Sequence, residues 1–308
     1  MPDIPGRSRP ARRRITAALA ASVATALALS ACGSSSDGGD DPEPNATASA
    51  SGGRGSGGTG GGTPGPSLPP PTDIVLPPSR VGWDYQIAAP YDPPAGVTVV
   101  SRDHAAPPAA GVYNICYVNG FQAQPGAEKE WEDDLLLRDA KGRLVYDKQW
   151  NEAVLDIRTD AKRQRVAKKV GVWIDECAAK GYNGLEVDNY DSYTRSDGLV
   201  TAADDMALGA LLAAHAHEKK LAMGQKNSVE LAGDAKKVGM DFAVAEECGE
   251  QDECNGYIDA FGDKVYVVEY NEKGLSRACK KWGDKLSIVR RDKNVLPQGK
   301  SGSLRQTC

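Results

Sequence analysis

The amino-acid sequence predicts a single-domain α/β protein with a (β/α)8 TIM-like barrel, and three observations lead to this class. About 230 of the 308 residues, from Arg80 to Cys308, have ordinary globular composition, and barrels of this kind commonly occupy about 200–250 residues. Short β-rich runs alternate with helical patterns in this part of the chain. Polar residues directly follow several of these runs, at the positions where active sites of such barrels are built.

The first 31 residues have the features of an export signal. Five arginines precede an apolar, Ala-rich stretch that is short for a permanent membrane span, and the stretch leads into Leu29-Ser-Ala-Cys32. This order resembles bacterial lipoprotein signals, in which the cysteine thiol accepts the lipid. We therefore expect residues 1–31 to be a signal peptide, Cys32 to be lipidated, and the protein to lie outside the cytoplasm on a membrane lipid anchor. A secretory signal with an incidental Cys32 is the alternative.

Residues 32–79 are expected to be a disordered linker. They are dominated by Gly, Pro, Ser, Thr and Asp, a composition that does not bury a hydrophobic core. Such a tether lets the barrel domain, residues 80–308, stand away from a membrane surface.

The charge balance limits the partners of the protein. Its formal net charge is −5, and the signal contributes several arginines, so the rest of the chain is more acidic than this total. An acidic surface disfavours nucleic acid and suits a cationic substrate. We expect no nucleic-acid partner, no cofactor, membrane contact through the lipid anchor only, and a monomer.

Nine short runs rich in β-branched and aromatic residues are predicted to be strands, and the helical patterns between several of them predict parallel βαβ units. An eight-stranded barrel needs one run fewer, so we expect Val154–Ile157 to be a short extra strand or part of a long loop. A doubly wound open sheet is the alternative fold. No Gly-x-Gly-x-x-Gly motif follows the first predicted strand, so a dinucleotide site is not indicated. The runs are Val81–Ile87, Val97–Val100, Val112–Val118, Val154–Ile157, Gly184–Val187, Leu221–Gly224, Phe242–Ala245, Val265–Tyr270 and Leu286–Val289.

Three helices have recognisable signals. Apolar residues recur on one helical face within Asp160–Lys180. Thr201 begins a motif with the spacing of a capping box, ahead of an Ala/Leu-rich helix that is predicted to end near Lys220. Ser228 is expected to cap a further helix that ends near Val238.

Six cysteines remain if Cys32 is lipidated, and an even number in an exported protein predicts three disulfide bonds. Sequence alone allows fifteen pairings. Short separation favours Cys248–Cys254, a Cys279–Cys308 bond would pin the C-terminus, and Cys116–Cys177 follows by exclusion. No metal site is predicted, because the cysteines lack CxxC spacing and neighbouring histidines.

Three polar clusters follow predicted strands, at what would be the carboxyl ends of a parallel barrel. Asp188 and Glu246 lie in clusters on different strands, as two carboxyl groups that act across one glycosidic bond should. This placement makes the pair a catalytic candidate, and the family resemblance given below is the main reason to predict that it is catalytic. Glu186, Asp191 and Glu247 are each better interpreted as loop-capping or solvated acids. The clusters are Glu186 to Asp191, Gln225-Lys-Asn227 and Glu246-Glu247.

Seven further residues, which lie on or beside these and other predicted strands, are predicted to bind the substrate. Lys226 has two alternative roles, which are to hold one acid in its ionised form or to bind a sugar hydroxyl. Tyr117 is expected either to stack on a sugar ring or to pack in the core. The predicted substrate-binding residues are Gln86, Tyr117, Glu186, Asn189, Lys226, Asn227 and Tyr270.

Six segments, in the right order, resemble the recurring motifs of glycoside hydrolase family 114, the endo-α-1,4-polygalactosaminidases. The resemblance runs from about Arg80 to Cys308, and it implies a TIM-like barrel with Asp188 and Glu246 as the catalytic pair. The segments are Trp83-Asp-Tyr-Gln86-Ile, Asn114-Ile-Cys-Tyr117-Val-Asn-Gly120, Val154-Leu-Asp156-Ile-Arg158, Gly184-Leu-Glu-Val-Asp-Asn189, Met223-Gly-Gln-Lys226-Asn227, and Ala245-Glu-Glu-Cys248 with Glu253-Cys254.

The sequence departs from the family pattern at three places. Val187 stands where the family has Pro, and Ala245 stands where it has Asn. Val118-Asn119-Gly120 replaces a Phe-Ser-Ala-Gly stretch. These changes touch the lining of the cleft, so they bear on sugar specificity more than on the class of reaction.

The residues and the resemblance together imply an endo-acting hydrolase of an α-1,4-linked galactosamine-type polysaccharide. Asp188 is expected to be the nucleophile and Glu246 the acid/base of a retaining mechanism. A deacetylated amino-sugar polymer is cationic near neutral pH, which suits an acidic cleft. Two alternatives are a non-catalytic polysaccharide-binding surface lipoprotein on the same barrel, and a hydrolase of another α-glycan.

Overall fold

The computed structural model describes residues 73–308, so the predicted signal peptide, Cys32 and most of the predicted linker lie outside the described residues. Within this range the chain forms twelve strands and six α-helices. The strands are β1 Gly82–Gln86, β2 Val97–Asp103, β3 Tyr113–Asn119, β4 Gln122–Ala123, β5 Tyr146–Asp147, β6 Glu152–Val154, β7 Gly184–Asp188, β8 Ala222–Lys226, β9 Phe242–Glu246, β10 Val265–Glu269, β11 Ser287–Arg291 and β12 Arg305–Thr307. The helices are α1 Asp160–Lys180, α2 Ala202–Glu218, α3 Ala235–Val238, α4 Cys248–Gln251, α5 Cys254–Phe261 and α6 Glu272–Trp282.

Nine strands form one curled sheet in the order β1-β2-β3-β7-β8-β9-β10-β11-β12. The first eight are parallel, and β12 is antiparallel to β11. The curl brings β1 close to β11, where the backbone N–H of Val81 donates to Ser287 Oγ at 3.1 Å and Arg291 Nη1 lies 3.3 Å from Asp84 Oδ1. Eight parallel strands closing on themselves confirm the TIM-like barrel.

The long helices begin where the sequence predicts. Helix α1 has the predicted bounds, and the Thr159 side chain accepts the Lys162 N–H at its start. Helix α2 begins with the predicted capping box, in which the Thr201 hydroxyl accepts the Asp204 N–H while the Asp204 carboxylate accepts the Thr201 N–H. The local signals suffice here because each cap satisfies backbone groups of its own first turn.

The prediction that Ser228 caps a helix is wrong. Ser228 has φ 59° and its side chain makes no capping hydrogen bond. The chain continues as the 3₁₀ helix Val229–Asp234 before the single turn of α3. An N-cap needs an extended backbone so that its oxygen reaches the next turn, and the left-handed conformation of Ser228 points that oxygen elsewhere.

The first two crossovers depart from a regular (β/α)8 pattern, because residues 87–96 and 104–112 connect their strands without a helix. Both segments are rich in proline and glycine, including Pro93-Pro94 and Pro107-Pro108. Proline lacks the N–H that a helix interior needs. These residues therefore follow the barrel wall as extended loops.

Two hydrophobic layers lie on either side of the sheet. Residues such as Trp83, Ile115 and Phe242 fill the inside of the barrel, and Leu185, Val187 and their neighbours pack outward against the helices. A Cβ on Gly224 would lie 2.6 Å from the ring of Phe242. Glycine at this inward position therefore makes room for the phenylalanine.

Residues 120–158, between β3 and α1, form a hairpin insert with its own antiparallel sheet in the order β4-β6-β5. The extra ninth run of the sequence, Val154–Ile157, begins where β6 ends, so it does not join the barrel. This confirms its assignment as a short extra strand or loop.

The three disulfide bonds join the predicted pairs, which are Cys116–Cys177, Cys248–Cys254 and Cys279–Cys308. The first ties the outer face of β3 to α1. The last ties α6 to the residue after β12.

Residues 73–79, which the sequence assigned to the linker, contact the amino ends of the barrel strands. The hydroxyl of Tyr113 donates to the carbonyl of Val75 at 2.9 Å, and Lys264 Nζ donates to Ser79 Oγ at 2.7 Å. Tyr266 also donates to the carbonyl of Pro78. Ile74 packs against the residues inside the barrel. The chain thus enters the fold at the face opposite the carboxyl ends of the strands.

Within residues 73–308, no helix is long and apolar enough to cross a membrane. The same part of the chain contains no group of three or more His, Cys, Asp or Glu side chains placed to hold a metal ion.

Candidate active site

The carboxyl ends of β7, β8 and β9 bring the two predicted catalytic acids to one lysine. Lys226, the last residue of β8, is fully buried between its neighbouring strands. Its Nζ lies 3.3 Å from Asp188 Oδ1 on one side and 3.7 Å from Glu246 Oε2 on the other. Since one atom lies within these distances of both oxygens, the two oxygens are at most about 7 Å apart.

A third carboxylate, that of Glu186, lies one layer deeper in the barrel. It faces inward on β7 two residues before Asp188, because alternate side chains of a strand share a face. Glu186 Oε1 is 2.9 Å from Lys226 Nζ and accepts a hydrogen bond from the Tyr85 hydroxyl at 2.7 Å. Burial raises the pKa of the Glu186 carboxyl, and the Lys226 ammonium opposes this shift. Glu186 has no exposed surface and contacts Lys226 and Tyr85, and its predicted contact with substrate stays a prediction.

The Asp188 carboxylate accepts hydrogen bonds from the neighbouring strand β3 and from the loop that follows Asp188 itself. The hydroxyl of Tyr117 donates to Asp188 Oδ2 at 2.7 Å, and the backbone N–H of Asn189 donates to Asp188 Oδ1 at 2.8 Å. The Asn189 side chain donates to Asn119 Oδ1 and to Glu152 Oε2. A carboxylate that accepts several hydrogen bonds is stabilised in its ionised form.

Glu246 is fixed by two neighbours that the sequence predicted to bind substrate. Asn227 Nδ2 donates to Glu246 Oε2 at 3.0 Å, and Asn227 Oδ1 accepts the Glu246 N–H at 2.8 Å. The hydroxyl of Tyr270 donates to Glu246 Oε1 at 2.5 Å. Asn227 has φ 53°, and this left-handed backbone turns its amide back toward β9.

Gln86 belongs to a separate polar network inside the barrel. Its Nε2 donates to Asp84 Oδ2 at 2.9 Å, and its Oε1 accepts from Arg102 Nε at 3.0 Å. Arg291 and Arg305 contact the same aspartate. Gln86 has no exposed surface, so its visible role is to organise buried charges between β1, β2 and β11. Its predicted contact with substrate stays a prediction.

Three residues of this arrangement carried no functional prediction. Tyr85 lies within the first of the six family-like segments. Nothing in the sequence indicates its hydrogen bond to Glu186, which is 101 positions away. Glu152 lies in the insert, far from the strand ends in sequence. Asn119 was visible only as a departure from the family pattern. Of these three residues, only Asn119 could have been found by looking for polar residues at the end of every predicted strand, because it ends β3.

The arrangement supplies what hydrolysis of a glycosidic bond requires. Two carboxyl groups on β7 and β9, the strands on either side of β8, can act on the two sides of one bond, one on the leaving oxygen and one on the sugar carbon. A buried ammonium between them stabilises negative charge on the acid closest to it. The fold and the two acids are thus those expected of a glycosidase on a TIM-like barrel.

The comparison with protein families gives the same class. The sequence profile of Glycoside-hydrolase family GH114 matches residues 66–308. The chain belongs to this family and is a glycosidase.

Two solved structures are among those with a similar fold. Ega3 from Aspergillus fumigatus, in complex with galactosamine, is 21% identical with a TM-score of 0.62, and the alignment covers 77% of this chain and 99% of that one. The glycoside hydrolase domain of PelA from Pseudomonas aeruginosa is 16% identical with a TM-score of 0.48, and the alignment covers 72% and 97%. A search of curated proteins finds no match.

Proposed function

We propose that this glycosidase cleaves an α-1,4-linked galactosamine-type polysaccharide from within the chain. Asp188 acts as the nucleophile and Glu246 as the acid/base. The observation that carries the proposal is the placement of Lys226 Nζ within 4 Å of both carboxylates, which joins them into one site. The substrate class rests on the family and on the galactosamine complex of Ega3.

A retaining mechanism is supported by the closeness of the two acids. Retaining enzymes have carboxyl groups about 5–5.5 Å apart, whereas inverting enzymes need about 6.5–9.5 Å to admit a water molecule. The oxygens of the two acids that face Lys226 are at most about 7 Å apart, a bound that includes the retaining separation. Each acid accepts two further hydrogen bonds, and Asp188 lies closer to Lys226 than Glu246 does, at 3.3 Å against 3.7 Å. The closer ammonium favours the ionised form that a nucleophile needs.

The first prediction tests this site. Asp188→Asn and Glu246→Gln keep the shape of each side chain but remove the nucleophile and the proton donor, so each should lower the release of oligosaccharides from partially deacetylated polygalactosamine at least about 100-fold. The measurement is the rate of reducing-end formation, with the anomer of the first product followed by NMR.

Asp197→Asn and Glu218→Gln are the matched controls, because both carboxylates are exposed. They should retain wild-type rates. Full activity of both site variants would remove Asp188 and Glu246 from the mechanism. Binding of the polymer by the wild type without turnover would instead favour a surface lectin, and turnover of a different α-glycan would correct the substrate.

We also propose that the protein is a lipoprotein anchored through Cys32. The entry of residues 73–79 at the amino ends of the strands supports this, because a tether arriving there leaves the carboxyl-end site unobstructed. Expression in a bacterium fed labelled palmitate should label the wild type and not Cys32→Ser. Equal labelling of the two, or none of either, would reject the anchor.

A further inference from the structure

The end of the β5–β6 hairpin carries two carboxylates directly opposite each other. Asp147 on β5 pairs with Glu152 on β6. Like charges at facing positions of neighbouring strands destabilise a hairpin. A hairpin with this pair therefore needs hydrogen-bond donors or cations outside the hairpin that stabilise each carboxylate.

Asp147 has a cationic partner. Arg195 Nη1 lies 2.6 Å from Asp147 Oδ2, and its Nη2 lies 2.8 Å from Asp191 Oδ2 in the loop after β7. This arginine neutralises the buried end of the hairpin and docks it on that loop.

Glu152 holds two amides at the carboxyl end of the barrel. Its Oε2 accepts from Asn119 Nδ2 at 3.1 Å and from Asn189 Nδ2 at 2.9 Å. Asn189 Nδ2 also donates to Asn119 Oδ1 at 3.0 Å, so the three side chains form a closed triangle. Hydrogen bonds to an ionised acceptor are stronger than those between neutral groups, which makes Glu152 the strongest acceptor of the three.

Both amides adjoin Asp188. Asn119 is the register partner of Asp188 on β3, and Asn189 follows Asp188 in the chain. Asn189 has φ 67°, an uncommon backbone conformation, and in it the Asn189 N–H donates to Asp188 Oδ1. The triangle therefore holds the peptide that aims the Asp188 carboxylate.

We propose that Glu152, supplied by the hairpin insert, is a positioning residue for Asp188 and acts through Asn119 and Asn189. The proposal rests on the proposed function, since it takes Asp188 to be the nucleophile. It also gives a physical role to Asn119, which departs from the family motif. Without the Glu152 carboxylate, the two amides lose their common acceptor. The Asn189 side chain then keeps only its contacts with Asn119 and with Arg195 Nη1, so the peptide that follows Asp188 is held less firmly.

The experiment compares Glu152→Ala, Glu152→Gln and Glu128→Ala. Glu128 is the matched control, since it lies in the same insert and accepts from the Tyr146 hydroxyl, away from the triangle. Misplacement of a reacting group by about 1 Å costs up to about 100-fold. Glu152→Ala should therefore lower kcat by about 10- to 100-fold with little change in KM. Glu152→Gln keeps an acceptor oxygen and should restore most of kcat, and Glu128→Ala should match the wild type.

Crystal structures of the wild type and of Glu152→Ala give a second readout that needs no substrate. The proposal expects the Asp188 carboxylate to leave its hydrogen bonds to Tyr117 and the Asn189 N–H in the variant. Wild-type kcat in Glu152→Ala, with Asp188→Asn inactive, would overturn the positioning role and leave the proposed function standing. If the wild type is itself inactive on the polymer, the proposed function fails, and an undisturbed Asp188 in the variant structure would overturn the positioning role separately.

Discussion

Lys226 is a buried cation that lies within 4 Å of three carboxylates. A buried ion pair contributes little net stability, because desolvating the charges offsets much of their attraction. Removing one partner is far more costly, since the remaining charge is left uncompensated. Lys226 and Glu186 are therefore best understood as a unit in which Glu186 holds Lys226 in place and the Lys226 ammonium lies beside Asp188 and Glu246.

The second prediction concerns this unit. Lys226→Met should lower the free energy of unfolding by about 3–5 kcal/mol, because it leaves the fully buried Glu186 without its cation. Adding Glu186→Gln should recover most of that loss in stability. Neither variant should be active, because both lack the cation that lies beside Asp188 and Glu246. Urea denaturation of the single and double variants measures the difference.

Lys281→Met is the control for this comparison. Lys281 pairs with Asp252 at the surface, where both side chains are about half exposed, and solvent-screened pairs of this kind contribute little to stability. Equal losses for Lys226→Met and Lys281→Met would show that the buried unit has no special energetic role.

At the scale of elements, Glu269 at the end of β10 joins the strand to two helices. Its Oε1 accepts the Gly249 N–H of α4 at 2.7 Å, and a Cβ on Gly274 of α6 would lie 2.1 Å from its Oε2. Burial raises the pKa of the Glu269 carboxyl to about 8, although the hydrogen bond from Gly249 works in the opposite direction. The protonated form is therefore the one that suits this contact.

The third prediction follows from the direction of that shift. Between about pH 4.5 and pH 8 the folded protein keeps a proton on Glu269 that the unfolded chain releases. The contribution of Glu269 to stability is thus full below pH 4.5 and decreases as pH rises, by about 1.4 kcal/mol for each pH unit.

Glu269→Gln removes this titration and keeps an acceptor for Gly249. The free energy of unfolding of the variant, relative to wild type, should rise steadily from pH 5 to pH 8. Parallel curves for the two proteins over that range would contradict the shifted pKa.

At the scale of the whole molecule, residues 73–79 cover the end of the barrel opposite the candidate site. Ile74 packs on the residues inside the barrel, whereas Val75 points away and is 65% exposed. The hydroxyls of Tyr113 and Tyr266 also bond to carbonyls of this segment. This segment therefore stabilises the barrel as part of the fold.

The fourth prediction tests whether the packing of Ile74 inside the barrel stabilises the fold, by comparison with the exposed Val75 of the same segment. Ile74→Ala should lower the free energy of unfolding by about 1–2 kcal/mol, because it removes partly buried methyl and methylene groups. Val75→Ala should have almost no effect, since its side chain is exposed. Thermal unfolding of both variants measures this, and equal shifts in Tm would mean that Ile74 is not packed as described.

Much of the fold could be predicted from sequence because its signals are local. The periodicity of Asp160–Lys180, the capping box at Thr201 and the alternation of strands with helices depend on neighbours a few positions away. The same holds for the position of Asp188 and Glu246 at strand ends. The prediction that Ser228 caps a helix was wrong because capping depends on the backbone conformation of the residue, which the tertiary structure sets.

The sequence by itself determined the eight parallel strands and their order along the chain, the helices α1 and α2, the six cysteines that pair, and the two acids that the family resemblance marks as catalytic. Only the tertiary structure decided what the polar residues around those acids do. Asn189, Asn227, Tyr117 and Tyr270 hold the carboxylates. Tyr85 and Glu152 join the site from a distant strand and from the insert. The reason is that hydrogen-bond partners are set by the curl and register of the sheet, which bring together residues separated by up to 101 positions in these contacts.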